Sequence, residues 1–321
     1  MKLLGSWVVA LSLGFSAAAT AQDYPTRPVR LVIPYPPGSS SNDIIGRALA
    51  QRLSQSLGQQ MIVENRSGAG GNVGSEFVAK AAPDGYTLLL ATNGPQAIAP
   101  HVFKLTYDVQ RDLAPVSLIA TVPYMLMIHP SLPAKNVREL IALAKARPGQ
   151  LLFASSGNAG TPHLCGELFK IMAKIDIRHV PYKGGAPAMI DTMGGQTQIY
   201  CTGATAAIPH VKSGKLRALG MATLKRSAVM PEIPTIAEQG LPGFDVASWL
   251  GIMTPSKTPP AIVQRLYAET AKALETPEMR EFIASQGSEP APLDPQKFGE
   301  FLRTELAKWG KVVKDAGLKL D

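Results

Sequence analysis

The chain has 321 residues, 45% of them hydrophobic and 17% charged, with a formal net charge of +8. That is enough chain for two domains, each burying its own core. Its 32 Lys and Arg are scattered, not gathered into the basic stripe that nucleic-acid binding needs, and a mild positive field suits anionic solutes instead.

The N-terminus sets the compartment. Lys2 precedes an apolar run from Leu3 to Phe15, and Ala19-Thr20-Ala21 then fits an A-x-A cleavage site. This pattern predicts a secretory signal peptide, residues 1–21, cleaved after Ala21, and a periplasmic mature chain starting at Gln22. Loss of Lys2 lowers the charge from +8 to +7. No cysteine near that site can carry a lipid, and no later run is long and apolar enough to span a bilayer.

Strands and helices then alternate. Val29 to Ile33 reads as a strand, and Ile44, Ile45, Ala48, Leu49, Leu53 and Leu57 recur at helical spacing up to Gly58. Met61 to Val63 is a second strand, a helix is expected near Val73 to Ala82, and Thr87 to Ala91 is a third strand. This βαβαβ order predicts a mostly parallel sheet with helices on both faces. The apolar stretch Val116 to Ile128 is too long for an ordinary strand and carries Pro123, so it reads as a strand crossing between domains. Leu151 to Ala154, Ile177 to Val180, Ile199 to Thr202 and Leu216 to Ala222 are further strands, and Val246 to Met253 is the return crossing. Phe298, Leu302, Leu306, Trp309 and Val313 form one stripe of a C-terminal helix. Two crossings imply two α/β lobes, the second inserted in the first: 22–121 with 244–321, and 122–243. A small ligand belongs in the cleft between them, beyond the carboxyl ends of the strands.

Two strand-to-helix loops stand out. Tyr35 to Asp43 has prolines that set its path, Gly38, the hydroxyls of Ser39, Ser40 and Ser41, and Asn42 and Asp43 at the helix start. Ser155-Ser156-Gly157-Asn158-Ala159-Gly160-Thr161-Pro162-His163 repeats the design, with Pro162 suited to a first helical position. Free N–H groups at such helix starts are ready anion sites. A third loop, Asn65 to Gly74, approaches a dinucleotide fingerprint but has Val73 at the third glycine, so it reads as a tight turn. The loops holding Lys183 and Thr202 follow two more strands and close the pocket; Lys183 is a candidate carboxylate contact. No G-x-S-x-G elbow is present and no nucleophile–base constellation stands out, so no enzymatic activity is expected. Cys165 and Cys201 lack zinc-site spacing, and whether they pair is left open. No metal or cofactor is expected.

Several segments together carry a resemblance: Val29-Arg30-Leu31-Val32-Ile33-Pro34-Tyr35-Pro36-Pro37-Gly38, Val63 to Gly71, Ala81 to Leu88, His179-Val180-Pro181-Tyr182-Lys183-Gly184 and Gly214 to Leu219. From about Tyr24 to the C-terminus the chain resembles the tripartite tricarboxylate transporter receptors, also called Bug proteins. The resemblance implies a type II-like periplasmic binding protein, a two-lobed α/β flytrap with a central, mostly parallel sheet in each lobe. It implies capture of a small carboxylate by main-chain N–H groups and small polar side chains, and delivery by a monomeric receptor to membrane transporter subunits. It adds Asn93, after the third strand, to the pocket. Two departures matter. Ser39 stands where the family's first loop usually has a second glycine, and the path to Asp43 is one residue longer. Near Thr202 many relatives carry an acidic residue that meets an amino group; its absence points to a plain mono- or dicarboxylate. The alternatives are a sensor subunit using the same fold and, from another class, an exported serine hydrolase.

Overall fold

A computed structural model describes residues 24–38, 41–228 and 230–318. The signal peptide, 1–21, and the loop serines Ser39 and Ser40 lie outside the described residues. The first lobe opens with β1 (Val29–Ile33), α1 (Ser41–Leu57), β2 (Met61–Asn65), α2 (Asn72–Ala79) and β3 (Thr87–Thr92). A π-turn over Gly94–Ile98 and two single-turn helices, α3 (Ala99–Val102) and α4 (Val109–Asp112), lead into β4 (Leu113–Ile128). The second lobe contains α5 (Val137–Ala146), β5 (Leu152–Ser155), α6 (Thr161–Ala173), β6 (Arg178–Pro181), α7 (Gly185–Met193), β7 (Ile199–Gly203), α8 (Ala204–Lys212) and β8 (Arg217–Met221). Then β9 (Ala247–Pro255) returns to the first lobe, which ends with α9 (Pro260–Glu275), α10 (Pro277–Ser285), β10 (Glu289–Leu293) and α11 (Pro295–Asp315).

The strands follow the order β2-β1-β3-β9-β4-β7-β5-β6, with β8 and β10 also paired to β4. The outer three strands of each lobe are parallel, whereas β4 and β9 run antiparallel to their neighbours. The sheet is therefore mixed at its centre, because a strand that enters a lobe and another that leaves it must run in opposite directions. β4 pairs with β9 from Leu113 to Pro123 and with β7 from Tyr124 to Ile128. The partner changes at Pro123, which has no N–H to give a ladder. Pro115 sits at a register shift, the other place where a sheet tolerates proline.

Packing explains the apolar patterns. Every residue of β3 is buried, as a central strand covered on both faces should be. On α1, Ile45, Leu49 and Leu53 are fully buried against Val29, Leu31 and Ile33, each worth about 1.5–3 kcal/mol. Ile44, part of the expected stripe, is 39% exposed. On the opposite face, one apolar cluster runs from Trp249, Phe298 and Trp309 in the first lobe to Phe153, Leu164 and Phe169 in the second. Buried Glu305 accepts from both Trp249 Nε1 (3.2 Å) and Trp309 Nε1 (3.0 Å), so neither indole is left unpaired. Cys165 and Cys201 form a disulfide, with Cα atoms 6.2 Å apart, that ties α6 to β7. β10, Glu-Pro-Ala-Pro-Leu, has no strand signature in sequence because two prolines interrupt it.

Candidate functional site

The first-lobe loop is built around one carboxylate. Asp43 Oδ2 accepts from Gly38 N (2.8 Å) and Arg47 Nε (2.9 Å), and Oδ1 accepts from Asn65 Nδ2 (2.7 Å). Burial alone would raise the Asp43 carboxyl; the bonds from Arg47, Gly38 and Asn65 outweigh it and hold the pKa below the ordinary value. Asn65 also donates to Tyr35 O (2.8 Å), and Tyr35 Oη is hydrogen-bonded to Thr92 Oγ1 at 2.7 Å. These bonds set the path from β1 to α1 and bring Tyr35 and Asn42 to the cleft.

The second-lobe loop is pinned from behind. Tyr182 N donates to Ser155 O (3.0 Å), Gly184 N to Ser156 O (3.2 Å), and Ala159 N to His163 Nδ1 (3.0 Å). Gly157 has φ +134°, where a side chain would be strained, and Ala159 has φ +56° although it is not glycine. Ser155 Oγ lies 2.6 Å from His179 Nε2. This serine–histidine pair is not a nucleophile: Ser155 is fully buried, does not reach the cleft, and its hydroxyl is already bonded to Gly157 O.

The cleft has two connected chambers of about 760 and 490 Å³. Asn42, Tyr124, Ser156, Pro162, Gly185 and Ser248 line both. Among the described residues, neither wall contains a Lys, Arg, Asp or Glu. Helix starts surround it instead. α2, α6, α7 and α8 have the N-caps Gly71, Gly160, Gly184 and Gly203, none with a side-chain capping bond. A first-turn residue of each lines the chambers: Asn72, Thr161, Gly185 and Thr205. Helices that start elsewhere are capped by side chains: α4 by Asp108, α5 by Asn136, α10 by Thr276 and α11 by Asp294. α9, capped by Pro259, is an exception. First-turn N–H groups that no side chain satisfies are left for a ligand or water.

Polar bonds also cross between lobes. Asn93 Nδ2 donates to Thr161 Oγ1 (2.9 Å), while its Oδ1 accepts from Ser248 Oγ on β9 (2.8 Å). Across the second chamber, Thr205 Oγ1 donates to Gln286 O (2.8 Å). Burial raises the Tyr35 and Tyr124 phenols above their ordinary pKa, so both face the cleft as neutral hydrogen-bonding groups. A larger groove of about 930 Å³ lies along β2 and α2, away from these loops. Its charges pair with one another, as Arg27–Asp84, Arg30–Glu64 and Lys80–Glu76.

Of the predicted site residues, Tyr35, Asn42, Asn93, Ser156, Gly157, Asn158, Gly160 and Thr161 line the first chamber, and Thr202 lines the second. Gly38, Asp43, Ser155, His163 and Lys183 stand outside both walls. Asp43 and His163 hold their loops from behind, and Lys183 is exposed. Ser41 opens α1. Sequence reasoning missed Ala69, Gly70 and Asn72, which belong to the loop read as a plain turn, and also Tyr124, Ser248 and Gln286. A signal existed for Tyr124 and Ser248: a strand crossing between lobes must pass the cleft floor, and Pro123 marks where.

A family model described as tripartite tricarboxylate transporter family receptor matches residues 45–318. Protein BugT of Bordetella pertussis is 38% identical over 309 residues, 96% of this chain and 94% of that protein. The solved structure of R. palustris Rpa4515 with adipate superposes with a TM-score of 0.81 at 37% identity, covering 92% of this chain and 99% of that one. MatC (Rpa3494) from Rhodopseudomonas palustris with bound malate gives a TM-score of 0.76 at 31% identity, covering 90% of this chain and 100% of that one.

Proposed function

The chain belongs to the tripartite tricarboxylate transporter receptor family, non-catalytic periplasmic receptors that pass small carboxylates to a membrane transporter, and from that premise we propose a specific solute site. The site is the two-chambered cleft. Asn42, Asn72, Asn93, Tyr124, the loop 156–161 and Ser248 form its first chamber, and Thr202, Thr205 and Gln286 its second. The lobes are 22–121 with 244–321, and 122–243, a division supported by the change of partner along β4.

The observation that carries the reading is the set of four glycine-capped helix starts around a cleft whose wall, among the described residues, holds no Lys or Arg. Each dipole favours an anion by about 0.3–1 kcal/mol, up to ~2 when partly buried. Each hydrogen bond to a charged group adds about 1.5–3 kcal/mol. Two dipoles and two or three such bonds reach the roughly 8 kcal/mol of micromolar binding. The solute is a mono- or dicarboxylate; the adipate and malate in the two related structures are both dicarboxylates. An amino-acid ligand is disfavoured because, among the described residues, neither wall offers a carboxylate to its ammonium group.

A thermal-shift screen of aliphatic dicarboxylates, hydroxy acids, tricarboxylates and aromatic acids tests this. A ligand at 100 times its Kd stabilises by about 2.7 kcal/mol, a shift of several degrees for a chain this size. If no acid in the panel raises Tm, the reading fails.

A further inference from the structure

Behind the second-lobe loop lies a histidine pair that the binding reading does not use. His163 on α6 and His179 on β6 stack with ring centroids 3.8 Å apart and planes 11° apart. Phe153 of β5 stacks on His179 at 4.8 Å. Gly166 makes room for that ring, since a Cβ there would sit 2.2 Å from Phe153 Cε2. His163 is buried and His179 half-buried, and neither lines the cleft.

Each imidazole holds one part of the loop. His163 Nδ1 accepts from Ala159 N, so that nitrogen carries no proton, and neutral His163 keeps its hydrogen on Nε2. The bond fastens Ala159, the non-glycine residue with left-handed backbone, a conformation that costs about 1–2 kcal/mol. His179 Nε2 bonds Ser155 Oγ, which in turn donates to Gly157 O and accepts from Gly157 N.

The charged neighbours do not favour protonation. Glu167 Oε1 is 3.7 Å from His163 Nε2, beyond hydrogen-bond distance, and both its oxygens are taken by Lys170 Nζ at 3.0 and 2.9 Å. Lys170 also lies over the Phe153 ring. Burial, then the facing His179 and Lys170, push His163 down to about 3; burial, then Lys170, push His179 down to about 4.

We propose that the stacked His163–His179 pair positions the solute loop 156–161, and that the loop keeps its solute-holding shape only while His163 Nδ1 is unprotonated. A proton on His163 Nδ1 sets donor against donor at Ala159 N–H. Because His179 takes its proton first, that proton on His163 also places two cations face to face in a buried stack. Acid therefore releases the loop, and with it the solute, before it unfolds the lobe. His163 and His179 are positioning residues: they touch the loop, not the solute. The inference rests on the reading of 156–161 as a solute loop.

Hydrogen exchange at the Ala159 and Gly157 amides tests it on the full-length mature chain, with no solute added. A failed carboxylate screen therefore leaves this test standing. His163→Leu removes the acceptor, and Ala159 exchange should rise about tenfold or more, the scale of one lost hydrogen bond, while β1 and β3 amides do not change. His163→Asn places Oδ1 where Nδ1 was and should restore protection. In the unsubstituted protein, imidazole 15N shifts should report an unprotonated His163 Nδ1 down to about pH 4, and protection at Ala159, corrected for intrinsic exchange, should fall below that pH. Unchanged exchange in His163→Leu, failure of His163→Asn to rescue, or protection that persists once Nδ1 is protonated would each overturn the proposal. Should His163→Leu not fold, the Asn variant and the acid titration decide alone.

Discussion

The two loops that face each other across the cleft are anchored by opposite electrostatics. In the first lobe the anchor is an ionised carboxylate, Asp43, with three donors on its oxygens and Arg47 to balance its charge. In the second lobe the anchor is a pair of uncharged imidazoles. Charge-assisted bonds are roughly twice as strong as neutral ones, so the first loop is the firmer. The contrast bears on what can stand behind the proposed anion site. A negative anchor needs its own counter-ion, whereas a neutral anchor adds no repulsion but gives way in acid.

Four measurements would sharpen or break that contrast. Reduction of Cys165–Cys201 should have the largest effect. The bridge joins positions 36 apart, and its loss should cost about 3–4 kcal/mol. Exchange should then rise in α6 and β7 while first-lobe peptides hold; a uniform rise through both lobes would show that the shared apolar cluster couples them into one unit.

Asp43→Ala should cost about 1.5–3 kcal/mol, because the Gly38 N–H and the Asn65 amide lose the charged acceptor of a buried side chain. The loss should appear in urea melts and weaken solute binding through the first loop. A variant as stable as the parent would refute the role given to this carboxylate.

Acid should separate the anchors. Asp43, with its pKa below 3.8, contributes fully above that pH and loses its contribution only as pH falls through its folded value. The histidines have folded values of about 3 and 4 against 6.5 in the unfolded chain. Below about pH 6.5 the unfolded state binds the extra protons, so stability falls by up to about 1.4 kcal/mol per pH unit for each histidine. Urea melts between pH 7 and 4.5 should show this slope, and replacing both histidines with Asn should flatten it.

Asn93→Ala should have the smallest effect on stability, about 1 kcal/mol, because its amide bonds one group in each direction, Thr161 and Ser248. Its main consequence should be a more open cleft, read as a larger radius of gyration in solution scattering. An unchanged radius would mean that closure does not depend on this bridge.

Much of the fold was legible because burial leaves a periodic trace. Ile45, Leu49 and Leu53 marked α1, and the unbroken apolar run of β3 marked a strand covered on both faces. The two crossing strands were legible by length and by Pro123. β10 was not, since its prolines contradict strand propensity and only its antiparallel pairing with β4 makes it a strand. In the candidate site, two of the loops that line the cleft, those of Tyr35 and of 156–161, were legible as loops that follow strands. The division of labour within them was not. Asp43 and His163 look like ligand residues in sequence, yet each bonds its own loop and neither lines the cleft, because the direction of a side chain at a helix start depends on what packs against it.

Local composition, hydrophobic period and spacing were enough for the compartment and for the two-lobed α/β plan. The disulfide, the Asn93 bridge, the His163–His179 stack and, among the described residues, a cleft wall without Lys or Arg came only with the tertiary structure. Each of these joins residues far apart in the chain or depends on which way a side chain turns, and local patterns carry neither kind of information.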